Sequence, residues 1–235
     1  MTENDKMKIR DIYFSKGLCI VSLAIAFLCI LITTIAQLIP SAYMTFVFTY
    51  PLKYPWQLIT YVFLHGYIAE LIPPELPYNP MQLTIGHLIY NLLLVIPFGV
   101  LIEKVIKSKR LLLLSITAWL INVTFSIILA IVNTPEGETT MVAGASGLVF
   151  SYMPIGMYII FVMGKKYGFG QLFKQIPFYL LLPIATATLI IALSPDVKGV
   201  AGIWSMIMHL IGIFVGVTFS VIYNKRIKDF FDKDV

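Results

Sequence analysis

Within long apolar stretches that otherwise carry no charge, two histidines and one serine have side chains able to do chemistry: His87, His209, and Ser146 in Gly144-Ala145-Ser146-Gly147. A polar group in hydrocarbon is costly unless it is partnered, so reactive residues in separate apolar stretches predict a site assembled between helices. Asn91 follows His87 by four positions, which puts both on one helix face a turn apart. Each residue alone has an ordinary structural use: a histidine in a span can serve in packing, and a serine beside glycine is usually a helix-contact point. Together they supply what acyl transfer needs, namely a hydroxyl nucleophile, an imidazole base and convergent hydrogen-bond donors.

The elements that must position them are membrane spans. The 235 residues are 59% hydrophobic and 12% charged, with a mean hydropathy of +0.88, far outside the soluble globular range. Membrane-length apolar runs fall at about 17–39, 81–102, 111–132, 141–163, 175–193 and 199–224. Six spans are expected, all helical, because an open sheet edge does not survive in lipid. The first run is too long for a cleaved signal peptide and is expected to be retained. Counted along their helices, His87, Asn91 and His209 lie about 9, 15 and 14 Å from the outer ends of the second and sixth spans. All three therefore share one layer of the membrane, and Ser146 opens the fourth span on the same side.

Charge sets the expected orientation. With the N-terminus in the cytoplasm, the loops and tails carrying Lys6, Lys8, Lys104, Lys107, Arg110, Lys165, Lys166, Lys225, Arg226 and Lys233 all lie inside. Of the 17 basic residues only Lys53 and Lys198 then remain outside. The formal charge of +5 describes flanks facing anionic lipid and has no nucleic-acid stripe, so nucleic acid is excluded as a partner. The chain reads as one domain, 1–235. Its largest irregular segment, 40–80, is rich in aromatics and proline and is expected to fold back onto the outer leaflet against the bundle. Cys19 and Cys29 lie on one helix and cannot pair. No His-Glu-x-x-His helix is present and His65, His87 and His209 are scattered along the chain, so neither a metal nor any other cofactor is expected. Trp119 and Asn122 in the third span have no evident partner and read as structural.

With these motifs in order, the chain resembles the rhomboid family of intramembrane serine proteases. The resemblance rests on Trp56 and Phe63-Leu64-His65 in the first loop, His87-Leu88-Ile89-Tyr90-Asn91, Glu103, Gly144-Ala145-Ser146-Gly147, and His209-Leu210-Ile211-Gly212 followed by Gly216. It implies an all-α membrane protein, a six-helix rhomboid-like bundle with a long membrane-associated first external loop. It also implies a Ser146–His209 dyad without a third carboxylate, with Phe150 packed on the histidine. His87, Asn91 and the backbone N–H of Ser146 would stabilise the oxyanion. Implied substrates are single-span transmembrane proteins cut near the outer face. The implied setting is a multi-pass protein of the bacterial cytoplasmic membrane, embedded in the lipid bilayer with both termini cytoplasmic.

Two departures stand out. Gln57 follows Trp56 where many family members carry arginine, which raises the question of how the first loop is anchored, and the stretch between His65 and His87 is longer than the usual connector. Other readings are a catalytically inactive rhomboid-like protein that binds transmembrane clients, and a transporter or proton relay. The second lacks the paired broken helices or internal repeat it would need.

Overall fold

The computed structural model describes residues 9–66, 80–172, 174, 176–193 and 200–232. Lys6, Lys8, Lys198, Lys233 and most of the insertion between His65 and His87, with Pro73, Pro74 and Pro77, lie outside the described residues.

The chain runs through α1 (Ile9–Tyr13), α2 (Ile20–Leu38), α3 (Pro40–Phe46), β1 (Phe48–Tyr50), α4 (Gln57–Thr60), α5 (Pro80–Leu94), α6 (Val100–Ile106) and α7 (Ser108–Asn133). It continues through β2 (Thr140–Val142), α8 (Ser146–Val149), α9 (Tyr152–Tyr167), α10 (Phe169–Leu172), α11 (Ile176–Leu193), α12 (Val200–Ile222) and α13 (Asn224–Asp232). Among the described residues five helices are long and apolar enough to cross a membrane: Ile20–Leu38, Met81–Ile106, Ser108–Asn133, Ser146–Tyr167 and Ile203–Ile222. The protein is an all-α membrane bundle. The expected span 175–193 corresponds to α11, in which the apolar stretch among described side chains is Leu181–Ile190. Outward faces carry Phe27, Leu113, Ile128, Phe214 and Val221, apolar residues that suit lipid rather than water.

Local chemistry explains the differences from the expected boundaries. The second span reaches Ile106 as α5, one wide helical turn at Val95–Gly99, and α6. Pro97 lacks an N–H and crowds the preceding turn, and the wide turn absorbs it; the Pro97 carbonyl, which the Val100 N–H also approaches, accepts the Tyr13 hydroxyl at 2.6 Å. The fourth span starts at Ser146 and not at Met141, because Thr140–Val142 pairs as a strand with Phe48–Tyr50. The segment expected to be irregular is ordered from 40 to 63 as α3, β1, α4 and a tight helical turn, which satisfies backbone groups close to the membrane from within the chain.

The serine-bearing span is the centre of the bundle: 67% of it is buried, against 33–39% for the other four. Around it, Leu101, Ile102, Leu111, Leu114, Tyr152, Ile155 and Ile159 form one core. Glu103, 3% exposed, joins α6 to the start of α2. Its carboxylate accepts from the Val21 N–H at 3.0 Å, the Ser22 N–H at 2.9 Å and the Ser22 hydroxyl at 2.7 Å. It thus caps a helix whose own N-cap residue, Cys19, makes no side-chain cap and places negative charge at the positive end of the α2 dipole. Helices α1 and α13 pack at this same end of the bundle, the latter through Lys166, which donates to the Phe231 carbonyl and pairs with Asp232 at 3.6 Å.

Replacing Glu103 by Ala leaves three donors, the two on Ser22 buried, without their acceptor and is expected to cost about 2–3 kcal/mol. Glu103→Gln, which keeps an acceptor oxygen, should cost less. Unfolding in detergent micelles reads both.

Candidate active site

The serine is positioned by its flanks. Gly144 has φ 121°, a conformation a residue with a Cβ adopts only under strain, and it turns the chain out of β2 into α8. A Cβ on Gly144 would lie 2.9 Å from His87 Cε1, 3.3 Å from His87 Nε2 and 4.0 Å from Ser146 Oγ. The imidazole edge and the hydroxyl therefore border the same small space. The first loop holds this turn in place: the Gly144 N–H donates to the Tyr61 carbonyl at 2.9 Å, and the strand pair fixes Thr140–Val142 just before it.

His209 reaches the site because α12 packs closely along the serine span. A methyl group on Gly212 would overlap the Gly147 carbonyl oxygen and lie 3.1 Å from Phe150 Cβ; one on Gly216 would overlap the Ser151 carbonyl oxygen and lie 3.0 Å from Pro154. Four residues along one helix match four along the other, so the two run parallel in fixed register, with small residues allowing backbone contact. Continued toward the helix starts, this register sets His209, three before Gly212, beside the turn at Gly144, within two residues of Ser146. The His209 ring stacks on Phe150, one turn after Ser146, with centroids 4.3 Å apart and planes 23° from parallel. His209 is 5% exposed, and its Nδ1 has no hydrogen-bond partner among the described residues. No hydrogen bond joins its ring to the Ser146 hydroxyl, so packing on Phe150 sets the orientation of the imidazole.

His87 lies within electrostatic reach of His209. One turn along, Asn91 donates an amide hydrogen to the His87 carbonyl at 2.9 Å while its Oδ1 is buried without a partner among the described residues. The four residues singled out from the sequence thus occupy one end of the bundle: Ser146 and His209 on facing helices, His87 across Gly144, and Asn91 a turn deeper.

The structure adds residues that motif reading undervalued. His65 is fully buried, its ring 5.1 Å from that of His87 in an edge-on contact. The three histidines, scattered in sequence, are close in space. The Ala145 N–H approaches His65 Nε2 at 3.4 Å, while Nδ1 lies 3.2 Å from the Phe63 carbonyl and 3.4 Å from Thr33 Oγ1. Those partners suit a neutral ring with its proton on Nδ1. Burial, with a smaller contribution from His87, pushes the His65 pKa down to about 3. Trp119 and Asn122 also have partners. Trp119 Nε1 donates to the Leu58 carbonyl at 2.9 Å. Asn122 donates to the Ala118 carbonyl at 2.8 Å, while its Oδ1, without a hydrogen-bond partner among the described residues, packs against Gly147, where any Cβ would overlap it.

Gln57 answers the anchoring question. It is fully buried. Its Oε1 accepts from Thr49 Oγ1 at 3.0 Å and from the N–H groups of Lys53 and Tyr54 at 3.2 and 3.1 Å, while its Nε2 donates to the Met44 carbonyl at 2.9 Å. A guanidinium can only donate, so this arrangement is specific to an amide. Beside it the Trp56 indole donates to the Thr45 carbonyl at 3.0 Å.

A family model, the Rhomboid domain, matches residues 81–226, more than half of the chain and a range that includes positions 87, 91, 146 and 209. The chain belongs to the rhomboid family, whose members are typically intramembrane serine proteases. No curated protein matches the chain.

Because folded His65 protonates only near pH 3 and an unfolded histidine near about 6.5, the unfolded state binds more protons between those values. Stability is expected to be intact above pH ~6.5 and to fall as the pH drops toward about 3. Thermal unfolding of the purified protein across that window checks the slope, which His65→Gln should reduce by up to about one proton.

Proposed function

We propose that this protein is an intramembrane serine endopeptidase that cuts single-span transmembrane proteins near the outer face of a bacterial cytoplasmic membrane, with its own termini in the cytoplasm. The observation that carries the reading is the backbone-close packing of α12 on the serine span, which stacks His209 on Phe150, one helical turn from Ser146. The clustering of basic residues at the opposite end, beside α1 and α13, supports the orientation.

In this mechanism Ser146 Oγ attacks the scissile carbonyl carbon while His209 takes its proton. The resulting oxyanion accepts hydrogen bonds from the His87 and Asn91 side chains and from the backbone N–H of Ser146, which begins a helix. Collapse breaks the C–N bond, and His209 gives its proton to the leaving amine. Water, activated by the same imidazole, then hydrolyses the acyl-enzyme and restores the serine. The Phe150 stack replaces the orienting carboxylate of a triad. A substrate helix must open locally to present its carbonyl, which favours segments with glycine or other helix-breaking residues near the cut.

Purified protein in liposomes with a single-span model substrate tests the assignment. Ser146→Ala and His209→Ala are expected to abolish cleavage, and Asn91→Ala to lower it about 100-fold, the usual effect of losing one oxyanion donor. A serine-reactive fluorophosphonate should label Ser146 only when His209 is present. Cleavage that survives Ser146→Ala rejects the mechanism, and absence of His209-dependent labelling in the intact protein points to a client-binding homologue without activity.

A further inference from the structure

At the end of the bundle opposite Ser146, the α6–α7 junction and the α12–α13 junction enclose a cleft of about 490 Å³. Lys107, Arg110, Lys225 and Arg226 line it, with Asp229 the one carboxylate among its lining residues. None of these cations is ion-paired with Asp229 among the described residues, so the cleft keeps a surplus of three positive charges.

Three observations indicate that the surplus serves a ligand. Arg226 Nε is buried and has no hydrogen-bond partner among the described residues. Arg110 and Lys107 make only long bonds to carbonyls of their own turn, at 3.3 Å to Ile106 and 3.4 Å to Lys104. Lys107 has φ 78° and ψ 154° and is the one non-glycine with positive φ among the described residues. That backbone region is essentially reserved for glycine, yet the residue there is a cation at the cleft mouth, 5.9 Å from the Phe230 ring. Like charges gathered beside a low-dielectric boundary repel one another, and an anion held among them relieves both the repulsion and the unpaired guanidinium. The cleft lies where helices leave the apolar layer, and Val105, Ile222 and Phe230 give it an apolar side.

We propose that this cleft binds the phosphate of an anionic phospholipid from the adjacent leaflet. Arg110 and Arg226 take the phosphate oxygens, Lys107 and Lys225 flank the mouth, and the apolar side receives the start of the acyl chains. The site is separate from the proposed peptidase centre and stands or falls independently of it.

Native mass spectrometry of the full chain in mild detergent, with phosphatidylglycerol and phosphatidylcholine as probes, tests the proposal. Phosphatidylglycerol should be retained and phosphatidylcholine lost. Arg110→Gln with Arg226→Gln should weaken retention, about fivefold for each charge removed. Asp229→Asn should strengthen it, a gain that damage to the fold does not produce. Equal retention of the two lipids, or retention unaffected by these substitutions, overturns the site. Inorganic phosphate in large excess should leave the lipid bound; complete displacement by it assigns the cleft to free phosphate and overturns the lipid.

Discussion

The close approach of α12 to the serine span is the constraint on which the rest of the structure depends. Gly212 and Gly216 carry no Cβ where one would strike the carbonyl oxygens of Gly147 and Ser151, so two backbones meet along a continuous ridge. In lipid, where apolar side chains gain little by leaving one apolar surface for another, such close packing is a main source of helix association. It also fixes depth. Two parallel helices locked in register keep His209 beside the turn that carries Ser146, and the Phe150–His209 stack sets the ring without a carboxylate.

A second constraint is polar satisfaction near the membrane surface. The first loop orders itself around Gln57, whose amide both accepts and donates, and then spends its free strand edge and the Tyr61 carbonyl on the segment leading to Ser146. The serine turn is therefore held from outside the bundle by the loop and from inside by α12. His65 belongs to the same frame: a buried neutral imidazole between the loop and the Ala145 N–H, next to His87. Glu103 plays the corresponding role at the other end, where one carboxylate ends α2 cleanly and ties it to α6.

Much of this was legible in the chain. Apolar run length predicts the bundle, and the four candidate site residues are recognisable because ionisable or polar side chains stand out against hydrocarbon. The misses have a common cause. Trp119 finds its partner 61 positions away, Asn122 lies against Gly147 on another helix, and Gln57 is satisfied in a loop whose path depends on its partners, and periodicity carries no information about such contacts. The apolar side chain of Met141 fits a span, whereas the strand pairing with Thr49 decides its backbone. The linear spacing of the histidines likewise concealed that the His65 and His87 rings touch.

The amino-acid sequence by itself determined that the chain lives in a bilayer as a helical bundle and which residues could do chemistry there, because the cost of placing polar groups in hydrocarbon acts on each residue regardless of its neighbours. Tertiary structure alone decided which of those residues meet, how His209 is oriented, and that four cations share one cleft. Each of these depends on the register and separation of helices distant in sequence, and those are set by backbone contact at two glycines and by hydrogen bonds between remote segments.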